Sequence, residues 1–234
     1  MAKFTEIAEI NLNTFNVVYN VNGYNFGSEQ EQARNLQYIK NIRKDYGASI
    51  LKWGNEFEIS EPLLVCFMAV ESKGFPEGKN ASGAIGLMQV KLITVREAVS
   101  KFKTITGQNL PNLVTESLKI KAPYLLKLTP NSQKLSPANE NSLEKLLIAD
   151  KDFNILVGSM YLRFCLEFTK ASGKAYTNKA CVAYNEGLYG NISKFKGKAI
   201  STMNLAKSVS AEAKGYLAKL FGRFGYLDIY FRKI

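Results

Sequence analysis

The spacing of apolar residues along this 234-residue chain changes character several times. Residues 14–26 alternate, with Phe15, Val17, Tyr19 and Val21 on one face and Asn22-Gly23 before Tyr24 and Phe26. Period two around Asn-Gly predicts a short β-hairpin with a tight turn. From Glu29 the period becomes helical, with Leu36, Ile39, Ile42 and Tyr46 three or four apart. This predicts a helix over about 30–54, broken near Gly47. Ser60 is placed to cap the next helix, with Glu61 and Pro62 in its first turn. That helix is the unbroken apolar run Leu63–Val70, which ends at Glu71. Residues 100–148 are punctuated by Pro111, Pro123, Pro130 and Pro137 and read as irregular. Residues 152–169 are apolar on all sides, the pattern of a central buried helix, and Gly158 within it implies close packing. A shorter helix over about 177–186 ends at Gly187, and a last helix begins near Ser210.

The pattern therefore describes a mainly α-helical chain with a small β appendage. Its composition, 46% apolar and 22% charged, is that of a globular protein rather than a disordered one. No apolar run is long enough to span a membrane, and residues 1–25 lack the basic start and apolar block of a signal peptide. The absence of histidine excludes His-based triads and most zinc sites. Cys66, Cys165 and Cys181 sit in apolar helical stretches without close pairing and read as buried reduced thiols. The net charge of +11 is uneven. Residues 170–234 hold twelve Lys or Arg against three acids, so +9 lies there. A solvated basic surface and attraction to an anionic polymer both fit that bias.

The candidate chemistry lies at the end of the apolar helix. Glu71 is followed by a loop and then by Gly83-Ala84-Ile85-Gly86-Leu87-Met88-Gln89. A carboxyl at the end of a buried helix, facing a Gly-rich wall, is disfavoured in its charged form. It therefore holds a proton near neutral pH, as a glycosidase acid must. Glu77, six residues on, is the candidate for a second carboxylate able to hold a water. Asn80 and Ser82 offer hydrogen bonds at the loop, and Gly86 permits close approach.

This segment resembles the lytic transglycosylase and goose-type lysozyme family, whose first motif is Glu-Ser, a loop, then Gly-Ala-x-Gly-Leu-Met-Gln and a Thr. Here these are Glu71-Ser72, Gly83–Gln89 and Thr94. Three further elements match in order. Asn154-Ile155 through Gly158 to Tyr161-Leu162 is similar to the family's Asn-Ile-x-x-Gly-x-x-Tyr-Leu. Ala183-Tyr184-Asn185-Glu186-Gly187 is similar to Ala-Tyr-Asn-x-Gly. Glu212 to Leu217 is similar to Glu-Thr-x-x-Tyr-Val, with Ala213 in place of Thr. Asn80 stands where the family often has Ser, and Lys91-Leu92 where it often has Met-Pro.

The resemblance implies a lysozyme-like α (α+β) domain over residues 35–234, an N-terminal extension over 1–34 with the β-hairpin, and an inserted segment over about 100–148. It implies cleavage of the bond between N-acetylmuramic acid (MurNAc) and N-acetylglucosamine (GlcNAc) in peptidoglycan, with a 1,6-anhydro product. Glu71 is the expected acid and then base. Ser72, Asn80, Ser82, Gly83, Met88, Gln89, Tyr184, Asn185 and Tyr216 are the expected substrate-binding residues. Met88 suits core packing as well, and Asn154 is expected to tie helices together. Neither a metal nor a cofactor is implied, and no nucleic acid is expected. A lysozyme-type hydrolase on the same fold and a non-catalytic wall-binding component remain alternatives. A bacteriolytic chain without a leader would be delivered by a phage particle, by a holin as for an endolysin, or by a secretion apparatus.

Overall fold

The computed structural model describes residues 28–76 and 78–234, together with Asn20–Val21 (β1) and Tyr24–Asn25 (β2). β1 and β2 pair antiparallel, Asn20 opposite Asn25 and Val21 opposite Tyr24. The Asn22-Gly23 turn and most of the expected hairpin lie outside the described residues, as does Glu77.

Helix α1 runs unbroken over Glu29–Phe57, so the break expected at Gly47 does not occur. A glycine inside a helix costs about 1 kcal/mol against alanine. That is small beside burying Ile39, Ile42, Ile50, Trp53 and Phe57 along one stripe. The boundary expected near residue 34 falls within this helix. Ser28 caps it through Glu31 N–H.

Helix α2 (Glu61–Ser72) is buried from Leu63 through Ala69. Ser60 holds its N-cap position, but the Ser60 hydroxyl makes no capping bond and is buried without a partner. Helices α3 (Leu92–Thr106), α4 (Asn112–Lys121) and α5 (Pro137–Ala149) occupy the stretch expected to be irregular. Three of its four prolines begin elements rather than interrupt them, and Pro130 lies in a turn. Pro111 is the N-cap of α4, Pro123 opens a 3-10 turn, and Pro137 starts α5. A proline in a first turn forfeits no helical hydrogen bond.

Helix α6 (Lys151–Phe168) is the axle of the fold, buried at every position from Phe153 through Leu166. It packs against α1, α3, α5 and α7 (Thr177–Glu186). α7 ends at Gly187, whose φ of 85° lies in the left-handed region open to glycine. The short α8 (Thr202–Ala206) and α9 (Ala211–Phe221) follow, with Ser210 capping α9. The chain does not end there: α10 (Tyr226–Lys233) packs back on α1 and α2.

All three cysteines are buried and free, and burial pushes each thiol up from its ordinary range. Lys179 departs from the reading of the basic C-terminal third as surface. It is fully buried on α7, where its ammonium donates to the carbonyls of Phe195 (3.0 Å) and Lys198 (2.9 Å). Among the described residues no helix is long and apolar enough to cross a membrane.

Gly158 in α6 lets the 85–90 loop seat against the axle. A Cβ there would lie 2.4 Å from the Met88 Cβ. Alanine would gain about 1 kcal/mol of helix propensity, but displacing the Met88 stem costs about 1–3 kcal/mol by overpacking. Gly158→Ala is therefore expected to lower the urea midpoint. A variant as stable as the parent would show that Met88 moves aside freely.

Candidate active site

Glu71 closes the last turn of α2. Lys73 follows in the left-handed region (φ 57°), and its N–H bonds the Ala69 carbonyl to end the helix. The Ser72 hydroxyl sits at 2.8 Å from the Leu87 carbonyl and 3.2 Å from that of Met68, and accepts from the Gly74 N–H. Ser72 thus pins the helix end to the Gly-rich loop, and it does not line the cleft.

That loop is a tight reversal. Ile85 and Val90 exchange backbone bonds of 3.0 and 3.2 Å around Gly86–Gln89. Gly86 (φ 71°) and Gln89 (φ 45°) both take left-handed backbone. For a non-glycine residue this is strain held by the surroundings. Gln89 is held at both ends of its amide: it donates to the Gly86 carbonyl (2.7 Å) and accepts from Asn80 Nδ2 (2.7 Å). The Asn80 Oδ1 in turn accepts from the Ser82 N–H, the Ser82 hydroxyl and the Ala84 N–H. Gly83 turns the chain at φ 82° and donates its N–H to the Asn80 carbonyl.

The loop is fixed from below by Asn154 of α6. Its Oδ1 accepts from the Met88 N–H (2.9 Å), and its Nδ2 donates to the carbonyls of Ile85 (3.0 Å) and Leu147 (3.1 Å). A Cβ at Gly86 would stand 2.3 Å from that Nδ2, so the contact requires glycine. From the far side the Tyr184 hydroxyl donates to the Met88 carbonyl (2.7 Å). The Met88 side chain is fully buried beneath the loop and does not face the cleft.

These elements enclose a cleft of about 470 Å³. One wall carries Asn80, Ser82 and Gln89 and then Lys91, Ile93, Thr94 and Glu97 at the start of α3. The other carries Tyr184 through Gly190, with Glu212 of α9, and Tyr161 also contributes. Of the expected binding residues, Asn80, Ser82, Gln89, Tyr184 and Asn185 line the cleft beside Glu71, while Ser72, Gly83 and Met88 shape the loop. Tyr216 acts on the acid itself, its hydroxyl donating to Glu71 Oε1 at 2.6 Å. The Asn185 Oδ1 is buried without a partner, while its Nδ2 lies 3.3 Å from Glu212. An orphaned acceptor in a cleft wall is a place for a ligand donor.

Sequence reading missed Glu97, Tyr161, Glu186 and Tyr189 as cleft residues. Glu97 was findable, since it lies three residues after Thr94 on the same helical face. Tyr189, exposed beyond the end of α7, carries no periodic signal.

Burial dominates the electrostatics of Glu71. Its surface is only partly covered, but the protein packed around the carboxyl removes most of its hydration. This pushes its pKa from an ordinary 4.5 up to about 7, against the lowering influence of the Tyr216 hydrogen bond and of Lys219, with Glu212 adding a smaller push upward. The other cleft acids are engaged. Glu97 pairs with Lys101 (2.7 Å), and Glu186 accepts from the Ser210 N–H (2.9 Å). Among the described residues no group of three or more Cys, Asp or Glu could hold a metal ion.

A carboxyl with a raised pKa costs the fold stability once ionised. Below about pH 4.5 it is protonated both folded and unfolded and costs nothing. As pH rises to about 7 the unfolded chain releases its proton first, and stability falls. Glu71→Gln is therefore expected to match the parent near pH 4 and exceed it at pH 8 by on the order of 2–3 kcal/mol. Equal denaturation midpoints at both pH values would contradict a desolvated carboxyl.

Residues 48–135 match the family model described as the transglycosylase SLT domain. That span carries Glu71, the Gly-rich loop and the start of α3, and stops before α6, α7 and α9. The chain is also 40% identical over 57 residues to the membrane-bound lytic murein transglycosylase E of Buchnera aphidicola subsp. Acyrthosiphon pisum (strain APS). The likeness covers 24% of this chain and 26% of that protein, so the chain spans about a quarter of the length of the relative it matches. Residues 48–135 are therefore similar to the transglycosylase SLT domain, and a 57-residue stretch of the chain is similar to part of a lytic murein transglycosylase.

Proposed function

We propose that this protein is a peptidoglycan lytic transglycosylase that cleaves the bond between MurNAc and GlcNAc without water, using Glu71 as acid and then base. The observation that carries the reading is Glu71 itself: one carboxyl, kept protonated near neutral pH by burial and aimed by the Tyr216 hydroxyl, in a cleft bounded by the SLT loop.

The steps balance around that single group. The Glu71 carboxyl gives its proton to the bridging oxygen as the bond from that oxygen to C1 of the muramyl sugar breaks, and the GlcNAc end leaves as an alcohol. Positive charge develops at C1, where the 2-acetamido group of the same sugar can share it. The Glu71 carboxylate then takes the proton of the 6-hydroxyl, whose oxygen bonds to C1 and closes the 1,6-anhydro ring. The acid is restored and no water is consumed.

In this reading Asn80, Ser82, Gln89 and Asn185 hydrogen-bond the glycan, and Tyr184 lends a ring edge and a fixed hydroxyl. Ser72, Gly83 and Met88 act by holding the loop. The domain is lysozyme-like from about the start of α1 to residue 234, with the residues before α1 as an extension, and its site of action is the bacterial cell wall. Hydrolysis on the same fold would need a second carboxylate to hold water. Of the described cleft acids, Glu97 is paired with Lys101 and Glu186 with the Ser210 N–H, which supports the anhydro route, while Glu77 lies outside the described residues.

Mass spectrometry of the soluble products from purified peptidoglycan tests the reaction. Products ending in 1,6-anhydroMurNAc are expected, and Glu71→Gln should release essentially none because an amide has no proton to give. Reducing ends would establish a hydrolase instead. The pH profile tests the acid: kcat/KM should fall as pH rises through about 7, where Glu71 loses its proton. Tyr216→Phe removes a bond that favours the carboxylate, so the alkaline limb should move to higher pH. An unmoved limb would mean that another group sets it.

A further inference from the structure

Resting on the glycan-cleaving reading, we propose that the Lys91 ammonium recognises the carboxylate borne by the muramyl sugar, on its lactyl arm or its peptide stem, and so sets which sugar occupies that part of the cleft.

The charges that line the cleft are Glu71, Glu97, Glu186, Glu212 and Lys91, so Lys91 is the one cation among the described lining residues. Three of the four acids have partners within the protein, Glu97 in Lys101, Glu186 in the Ser210 N–H and Glu212 in Asn185. The Lys91 side chain makes no ion pair or hydrogen bond among the described residues, and its carbonyl accepts from the Val95 N–H. It is exposed at the N-cap of α3, and no acid stands in that helix's first turn. It lies two residues after Gln89, on the wall that carries Asn80 and Ser82.

An acid-lined cleft repels an anionic polymer. An exposed cation lining the cleft reverses that locally, at the distance of one side chain. The proposed substrate presents its charge in a matching way. MurNAc carries a lactyl substituent that ends in a carboxylate or in an acidic peptide, and GlcNAc carries none. Charge therefore recurs on every second sugar. A fixed cation beside a fixed acid distinguishes the two registers of the strand, and only one register presents the cleavable bond to Glu71. Lys91 is in this sense a positioning residue that never touches the reacting atoms.

The experiment measures binding calorimetrically in the Glu71→Gln background, where strands stay intact, with and without Lys91→Ala. Three soluble strands are compared: peptide-free with the lactyl carboxylate, stem-bearing with free side-chain and terminal carboxylates, and the same stem fully amidated. Loss of Lys91 should weaken binding about two- to fivefold, the range of an exposed ion pair. The loss should appear only on strands with a carboxylate, vanish in high salt, and be restored by Lys91→Arg. A loss confined to the peptide-free strand names the lactyl group, and one confined to the acidic stem names the peptide. Equal affinities with and without Lys91, or an equal loss on the amidated strand, overturn the assignment and leave the cleavage reading standing. A charge-dependent loss alongside no cleavage by the unmodified chain sinks the cleavage reading instead.

Discussion

The site depends on one buried carboxamide. Asn154, on the axle helix, satisfies the Met88 N–H and the carbonyls of Ile85 and Leu147 at once. The first two belong to a loop that forms no regular ladder and the third to the last turns of α5, and a buried backbone group left unpaired costs on the order of 1–3 kcal/mol. The arrangement works only because Gly86 and Gly158 leave room, one for the Asn154 amide and the other for the Met88 stem. Two glycines and an asparagine, far apart in the chain, thus form a single fitting. It fixes Gln89 in a strained backbone and, through Ser72, sets the end of α2 against the same loop.

On that fitting the fold places a carboxyl where solvation is poor. Desolvation and the Tyr216 hydrogen bond pull Glu71 in opposite directions, and desolvation wins, leaving the group near pH 7. Deeper burial would give an acid that never releases its proton for the second half of the proposed cycle. Stronger hydrogen bonding would give a carboxylate with no proton to donate. An acid that must later serve as base suits the intermediate position, close to the pH at which it works. The aromatic cluster of Phe67, Tyr184 and Tyr216 supplies the low-polarity surroundings, and the two tyrosine hydroxyls are spent on Met88 and on Glu71.

Much of this was legible because it is local. The 3.6 period gave α1, the unbroken apolar run gave α2, and apolar residues on all sides marked α6 as central. The Glu71-Ser72 pair and the Gly-rich run pointed to the carboxyl and the loop that meet at the cleft. The errors were also local. Gly47, Pro111, Pro123 and Pro137 are breakers by propensity, and in place they are tolerated or begin helical elements, because packing and first-turn geometry outweigh the penalty, whereas Pro130 does lie in a turn. Lys179 reads as surface and is buried, since two carbonyls of a following loop receive its protons.

The sequence by itself determined that the chain is helical, where its core helix lies, and which carboxylate stands at the mouth of a glycine-rich loop. Periodicity and short motifs are properties of neighbours along the chain. Only the tertiary structure decided that Tyr216, 145 residues away, donates to that carboxylate, that Met88 faces the core and not the cleft, and that Lys91 lines the cleft with no ion pair among the described residues. Those are matters of which surfaces meet. Burial, hydrogen-bond closure and the balance of charge in a cleft come into being only when distant segments pack.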